Sequence, residues 1–274
     1  MKKILPILLL VILILPASIV RAEVKTIHVL VALCDNDSQG ISPVPKIIGN
    51  GDDPPNNLYW GAMYGVSTYL KKQKGWRLES RLAKPSDIIL ERLIFSKDGA
   101  YLIADAYAGR HIKKCTEDLF DFAAGRTNVP VELENLNLTG GAGADLLVYM
   151  GHNGLMDFDL EKYPVALKPG ESFLDLPENG LPVVNDGKKR EVAVFSCHSQ
   201  SYFQDLIIQA GARPLILTRD LMAPEAYILK ALAEGWLAGQ SPEEIRERVA
   251  AAYNQYQKCG LKAARRTFSA GGFL

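Results

Sequence analysis

This sequence of 274 residues has no net charge and few cysteines. Its 31 basic side chains balance its 31 acidic ones. Residues 1–22 hold Lys2, Lys3 and Arg21 and no acid, which leaves 28 basic and 31 acidic side chains in the rest of the chain. A chain so close to neutral lacks the basic surface of a protein that binds nucleic acid or an anionic membrane. We therefore expect no nucleic-acid partner.

Long apolar runs are missing after residue 22. Before it, two lysines precede an apolar run over residues 4–15, and the sequence VRA precedes Glu23. This three-part layout is typical of a secretory signal peptide. The other interpretation is an uncleaved anchor, since a membrane span needs about 20 apolar residues. We expect cleavage before Glu23, and therefore an exported protein, periplasmic or secreted, that is not held in a membrane.

Cysteine is too sparse for a disulfide scaffold. The chain has four: Cys34, Cys115, Cys197 and Cys259. In an exported protein, one optional disulfide between Cys115 and Cys259 is possible. Cys34 and Cys197 each follow an apolar run of strand length, and this position favours a chemical role.

Apolar runs of strand length alternate with amphipathic runs of helix length, and no internal repeat interrupts them. The strands are predicted at residues 26–33, 76–83, 145–150, 191–196 and 214–218. The helices are predicted at residues 58–72, 99–124 with a break near Gly109, 202–209, 224–237 and from 241 onward. Most of the strands contain few polar residues, as in a parallel sheet covered on both faces. The sequence therefore predicts a three-layer α/β sandwich with a mostly parallel sheet, in a single domain over residues 23–274.

Reactive side chains follow three of the predicted strands. Cys34, Asp35 and Asp37 follow the first strand, His152 follows the third and Cys197 follows the fourth. Ligands bind at the carboxyl ends of such strands. Neighbouring strands lie about 4.8 Å apart, so His152 and Cys197 come within reach of each other if their strands pair. An imidazole that takes the proton of a thiol turns it into a nucleophile.

The segments LLVYMGHNG and VAVFSCHSQ resemble the catalytic motifs of the caspase-like, or clan CD, cysteine peptidases. In that family one hydrophobic strand ends in His-Gly, and a later one ends in a small residue followed by Cys. The resemblance implies a caspase-like sheet, a peptide or protein substrate, and no cofactor or metal. It also implies His152 as general acid and base, Cys197 as nucleophile, and the backbone N–H groups of Cys197 and Gly154 as donors to the oxyanion.

Two positions depart from the family pattern. Asn153 stands directly after the histidine, where the family usually has glycine, and His198 follows the cysteine. Strand alternation points His198 away from Cys197, which predicts a surface position for it. A non-catalytic protein of the same fold, binding peptides or envelope components, tolerates such changes and is the alternative.

Two metal-dependent alternatives start from the first strand end. Asp35 and Asp37 are spaced as in haloacid-dehalogenase-type phosphatases, which hold Mg²⁺, although Gln39 stands where that family has threonine. The structural interpretation is that these side chains cap the loop backbone. The other alternative is a Zn²⁺ site. It would draw on Cys34, Asp35, Asp37, His152, Cys197 and His198, but no HExxH or CxxC spacing supports it.

The substrate pocket is expected beside the first strand end. Tyr59 and Trp60 follow in the segment 51–64 and are expected either to stack on a ligand or to pack as helix core. We expect Asp35 and Asp37 to bind substrate from the wall of this pocket, together with Trp60. An acidic wall favours a basic substrate side chain next to the scissile bond.

Overall fold

The structure covers most of the chain after the predicted signal peptide. The structure is a computed structural model and describes residues 24–39, 41, 43–133, 136–156 and 182–271. The predicted signal peptide at residues 1–22 lies outside the described residues. None of the helices within the described ranges is long and apolar enough to cross a membrane.

An eight-stranded sheet forms the centre of the protein. The strands of the described residues, in this sheet and in a separate hairpin, are β1 (Thr26–Ala32), β2 (Arg77–Ala83), β3 (Ile89–Lys97), β4 (Ala100–Tyr107), β5 (Asn128–Leu133), β6 (Leu136–Gly141), β7 (Leu146–Met150), β8 (Glu191–Phe195), β9 (Arg213–Thr218) and β10 (Phe268–Ala270). Strands β5 and β6 form a separate hairpin, and the other eight run in the order β10-β9-β8-β7-β1-β4-β3-β2. Strands β9, β8, β7, β1 and β4 are parallel to one another. Strand β10 pairs antiparallel with β9, β3 pairs antiparallel with β4, and β2 pairs antiparallel with β3.

Helices cover both faces of this sheet. They are α1 (Val66–Leu70), α2 (Ile112–Ala123), α3 (Ser199–Gln209), α4 (Ala226–Leu237), α5 (Pro242–Gln257) and α6 (Leu261–Thr267). Val29 and Val31 of β1 belong to a core shared with α1, α4 and α5. Leu30 and Ala32 of the same strand belong to a second core shared with α2 and α3. The predicted three-layer α/β architecture with a mostly parallel sheet is confirmed.

The start of the last long helix follows its sequence signal. The Ser241 side chain accepts a hydrogen bond from the Glu244 backbone N–H, the Glu244 carboxylate accepts one from the Ser241 backbone, and Pro242 occupies the first turn. This reciprocal arrangement satisfies backbone donors that the first turn of a helix leaves free.

The helix predicted over residues 99–124 is wrong in its first half. Residues from Ala100 to Tyr107 form strand β4, and the helix begins only at Ile112. Strand β4 is buried on both faces between β1 and β3. Apolar residues therefore occupy both of its faces, and the alternation that identifies a half-exposed strand is lost.

The helix predicted over residues 58–72 is also shorter than expected, since α1 has only five residues. Asn57 does not cap it. Its side chain accepts hydrogen bonds from the backbone N–H groups of Cys34 and Tyr59, and it donates to the Cys34 carbonyl at 2.8 Å. A Cβ atom at Gly61 would lie 1.9 Å from the Pro55 carbonyl oxygen. The backbone of Gly61 therefore packs directly against the backbone of Pro55, which leaves no room for a side chain. Asn57 thus ties this segment to the end of β1.

A buried ion pair joins β1, β3 and β4. The Asp105 carboxylate accepts hydrogen bonds from Arg92 Nε at 2.6 Å and Nη2 at 2.7 Å, and its Oδ2 lies 3.1 Å from His28 Nε2. The Gly141 backbone N–H donates to His28 Nδ1 at 2.8 Å, so the proton of a neutral imidazole lies on Nε2. Burial alone would raise the pKa of Asp105, but the hydrogen bonds from Arg92 and His28 outweigh it and lower that pKa.

Asp105→Asn tests the contribution of this ion pair. The substitution leaves the Arg92 guanidinium buried without a countercharge, and we expect the free energy of unfolding to fall by about 3–5 kcal/mol. Urea unfolding followed by circular dichroism measures the loss. Lys84→Ala is the control, because Lys84 and Asp87 form an exposed pair at 3.6 Å and such pairs contribute at most about 1 kcal/mol. Equal losses in the two variants would contradict the prediction.

Candidate functional site

Three reactive side chains meet at one edge of the sheet. Cys34, His152 and Cys197 each lie two residues beyond the carboxyl end of β1, β7 and β8, respectively. Strand β7 pairs in parallel with β1 on one side and with β8 on the other. His152 therefore follows the strand that lies between the strands leading to Cys34 and Cys197, and all three residues lie at the carboxyl edge of the sheet.

A cavity of about 600 Å³ opens at this edge. His152, Asn153 and Cys197 lie on its wall, together with Tyr59 and Glu225. The remaining wall is mostly apolar side chains from the segment after β1, the segment before α1 and the segment between β9 and α4. A largely apolar cavity of this size with a few polar groups is typical of a small-ligand or peptide side-chain site.

The His152 imidazole is held by groups on the β1 side. Its Nε2 lies 3.6 Å from Cys34 Sγ, and the Tyr59 hydroxyl lies 3.4 Å from Nδ1 and 3.3 Å from Nε2. The Tyr149 hydroxyl donates to the His152 backbone carbonyl at 2.8 Å. The imidazole is almost entirely buried, and the loss of solvation lowers its pKa to about 4. His152 is therefore neutral near pH 7.

Cys34 is a buried, protonated partner of this imidazole. The residue is 1% exposed. Burial, and to a smaller extent the charge of Asp35, raises the pKa of its thiol to about 12. With the His152 pKa near 4, the proton stays on sulfur, and the thiol donates to the neutral imidazole. This pair lacks the thiolate that a nucleophile requires, and Cys34 does not lie on the cavity wall in the described part of the chain.

Cys197 follows the neighbouring strand β8 and is half-buried. It lies on the cavity wall. Its Sγ is 3.7 Å from the Met222 carbonyl oxygen, and no hydrogen bond joins it to His152 among the described residues. Within the described residues the ring instead contacts Cys34 and the Tyr59 hydroxyl.

Asn153, which replaces the glycine of the family pattern, connects the two strand ends. Its Nδ2 donates to the Cys197 carbonyl at 2.7 Å, and its Oδ1 accepts from the Leu155 backbone N–H at 2.9 Å. Gly154, the expected second oxyanion donor, is buried and does not lie on the described cavity wall. The backbone N–H of Cys197 remains the expected donor at the wall.

The acidic residues after β1 organise their own loop. Asp35 is buried, and its Oδ1 accepts from the backbone N–H groups of Asp37 and Ser38, both at 3.0 Å. Asp37 is exposed, and neither carboxylate lies on the described cavity wall. This placement does not fit the expected role in substrate binding. It agrees with the structural interpretation, in which the aspartates cap the loop backbone.

The two aromatic residues of the adjacent segment divide between cavity and core. Tyr59 lies on the cavity wall and contacts His152. Trp60 is completely buried, and its indole N–H donates to the Glu91 carboxylate. The expected stacking of Trp60 on a ligand therefore does not fit its position, whereas packing as core does.

The metal and disulfide alternatives find no support in the described residues. No group of three His, Cys, Asp or Glu side chains within them is arranged to hold a metal ion. All four cysteines are free. Cys115 is buried on the α2 and α3 face, whereas Cys259 is exposed after α5 on the other face. His198 Nδ1 contacts the Arg219 carbonyl at 2.9 Å rather than Cys197.

Sequence reasoning missed the contact between Cys34 and His152. The signal was present, since Cys34 has the same two-residue offset from its strand as the other two residues. It was not decisive, because the strand order that places β7 next to both β1 and β8 depends on the tertiary structure. The segment from Leu221 to Glu225 on the cavity wall carries no motif that would have identified it.

Comparison with known proteins adds no relative to this description. No family model, no curated protein and no solved structure matches the chain.

Burial predicts different alkylation rates for the four thiols. In the folded protein at pH 8, we expect iodoacetamide to modify Cys197 and Cys259. Cys34 and Cys115 should stay unmodified, because burial excludes the reagent and raises both thiol pKa values. Tryptic mass spectrometry of timed samples measures each rate, with the urea-unfolded chain as the control in which all four react. Modification of Cys34 as fast as Cys259 would contradict this burial.

The lowered pKa of His152 predicts acid sensitivity. The unfolded chain binds this proton near pH 6.5, the folded protein only near pH 4, so acid favours the unfolded chain. Between these pH values we expect His152 to account for a loss of up to about 3 kcal/mol of stability.

Urea unfolding of His152→Gln at pH 7 and pH 4.5 measures this contribution, because the variant should lose less stability on acidification than the wild type. His198→Asn is the matched control, since asparagine tolerates the left-handed backbone there, with φ of 51°. The same acid dependence in His152→Gln and wild type would contradict the burial of the imidazole.

Proposed function

We propose that the protein is a cysteine-dependent hydrolase of peptide or amide bonds, with Cys197 as nucleophile and His152 as its partner in proton transfer. One observation carries the proposal: both residues lie on the wall of the same cavity, at the carboxyl ends of adjacent parallel strands. Ligands of α/β sheets bind at this edge. The cavity brings a substrate to both groups at once.

Accessibility favours Cys197 over Cys34 as the nucleophile. A nucleophile has to reach the carbonyl carbon of the substrate, and only Cys197 lies on the described cavity wall. Cys34 is 1% exposed and has a thiol pKa of about 12. We assign Cys34 to positioning of the imidazole, through its contact with His152 Nε2 at 3.6 Å.

The His152 imidazole is neutral near pH 7 and keeps one lone-pair nitrogen that can accept a proton from a thiol, although its lowered pKa makes it a weak base in the resting geometry. For this step the ring exchanges its contact with Cys34 for one with Cys197. Tyr59 stays near throughout, since its hydroxyl lies within 3.4 Å of both ring nitrogens. When the protonated ring nitrogen donates to the Tyr59 hydroxyl oxygen, the other nitrogen keeps its lone pair and can accept the proton.

The proposed reaction is an acyl transfer in two stages. The Cys197 thiol passes its proton to His152, and its sulfur attacks the carbonyl carbon to form an S–C bond. The oxyanion accepts a hydrogen bond from the Cys197 backbone N–H. The C–N bond then breaks, and His152 returns the proton to the leaving amine. Water, deprotonated by His152, cleaves the thioester to give a carboxylic acid and the free thiol.

The resemblance to caspase-like peptidases supports this reaction class. The strand before His152 pairs directly with the strand before Cys197, the pairing on which the expected reach between these two residues depended. The N-terminal segment supports export, so we propose a peptide or protein substrate outside the cytoplasm.

A peptide-binding protein without turnover is the second candidate. It is favoured by the contacts of the two groups, because the Cys197 sulfur faces the Met222 carbonyl and His152 is engaged by Cys34 and Tyr59. A binding protein needs the cavity but no contact between thiol and imidazole.

Single substitutions separate these functions. With a pool of fluorogenic peptide amides, we expect Cys197→Ala to abolish turnover and His152→Ala to lower kcat by about 10²–10⁴-fold, the usual contribution of general acid and base catalysis. Cys259→Ala is the control thiol variant, since Cys259 is exposed and outside the cavity, and it should keep wild-type turnover.

Cys34→Ala distinguishes the two thiols beside His152. It should reduce kcat but leave measurable turnover, because it removes a partner of the imidazole and not the nucleophile. Activity that survives Cys197→Ala and disappears in Cys34→Ala would transfer the nucleophile role to Cys34. No turnover by the wild type on any peptide, together with saturable peptide binding, would favour the second candidate.

A further inference from the structure

The cavity beside Cys197 has a wall of defined chemistry. Apolar side chains dominate it, and they come from separate parts of the chain: Ile41, Val44, Leu58, Met156, Met222 and Pro224. Leu221 also lies on this wall and is 64% exposed. A large leucine side chain left in water at a cavity is an apolar surface available for a ligand.

The charges around the cavity argue against an acidic occupant. No lysine or arginine lies on the described wall, so an acidic side chain finds no countercharge there. Glu225 is the one described acidic residue on the wall, and its Oε2 already accepts from Gln257 Nε2 at 3.0 Å. The Asp35 carboxylate is directed to the backbone of its own loop. A basic side chain in this cavity would lose hydration against mostly apolar walls.

We propose that this cavity binds a large apolar side chain of a peptide, of the leucine, methionine or phenylalanine type. The proposal rests on the proposed function in one respect, because the cleaved bond would lie next to the residue that fills the cavity. Binding itself depends only on the cavity. The volume of about 600 Å³ accommodates such a side chain together with neighbouring peptide backbone.

This proposal differs from the expectation drawn from the sequence, in which an acidic cavity wall favours a basic substrate side chain. Burying an apolar side chain gains free energy in proportion to the area removed from water. Each methylene-sized contact in such a pocket changes kcat/KM by roughly tenfold or more. Leucine therefore has a large advantage over alanine as well as over arginine and aspartate.

Equilibrium binding to the Cys197→Ala variant tests the inference without turnover. The probes are fluorescein-labelled hexapeptides of glycine and serine with one variable residue: leucine, methionine, phenylalanine, alanine, arginine or aspartate. Fluorescence polarisation should give Kd values at least about tenfold lower for the three large apolar residues than for the other three.

Ala223→Trp, made in the same background, fills the cavity from its wall and should weaken binding of the leucine peptide by about tenfold or more. Ala238→Trp is the matched control. Ala238 is exposed at the end of α4 and lies beside Val24 and Lys25, at the opposite edge of the sheet. If Ala223→Trp does not fold, Leu221→Asp is the second variant, because its exposed position tolerates a polar residue.

Each outcome distinguishes this inference from the proposed function. Tighter binding of the arginine or aspartate peptide, or equal binding of leucine and alanine peptides, overturns the inference even if the wild type cleaves peptides. Loss of leucine binding in Ala238→Trp but not in Ala223→Trp places the site elsewhere and also overturns it. Selective binding of leucine without any cleavage by the wild type supports the inference and refutes the proposed hydrolase.

Discussion

The pairing of β7 with β1 on one side and β8 on the other is the constraint on which the site depends. Parallel pairing brings the carboxyl ends of three strands to one edge. Because Cys34, His152 and Cys197 all follow their strands at the same distance, the three residues lie at one edge of the sheet, with His152 on the middle strand of the three. The apolar cores on both faces of β1 hold this strand in place. A different strand order would separate the same three residues.

Burial then gives the two thiols different properties. On the β1 side, desolvation raises the pKa of Cys34 and lowers that of His152, so the pair is neutral and rests in a hydrogen bond. On the β8 side, Cys197 is half-buried at an apolar cavity. His152 thus contacts a buried thiol, and a second, accessible thiol lies on the same cavity wall. We consider this asymmetry the physical basis of the proposed chemistry.

Several structural features follow from local sequence patterns. Strands β1, β7 and β8 are short apolar runs bounded by turn-forming residues, and the start of α5 at Ser241 follows from a capping box. Local patterns failed at β4, which is apolar on both faces, and at the turns before α1, where Asn57 bonds to the end of β1 instead of capping a helix. In both places a long-range contact outweighed a local preference.

From the residues alone, the α/β class, the strand ends that carry reactive groups and the position of Cys197 at the carboxyl edge of the sheet were predictable, because they depend on hydrophobic periodicity and chain order. Only the tertiary structure decided that Cys34 contacts His152, that Asp35 is occupied by its own loop, and that Trp60 belongs to the core. Hydrogen bonds and burial of this kind join residues far apart in the chain, and no local pattern records which side chain fills a given space.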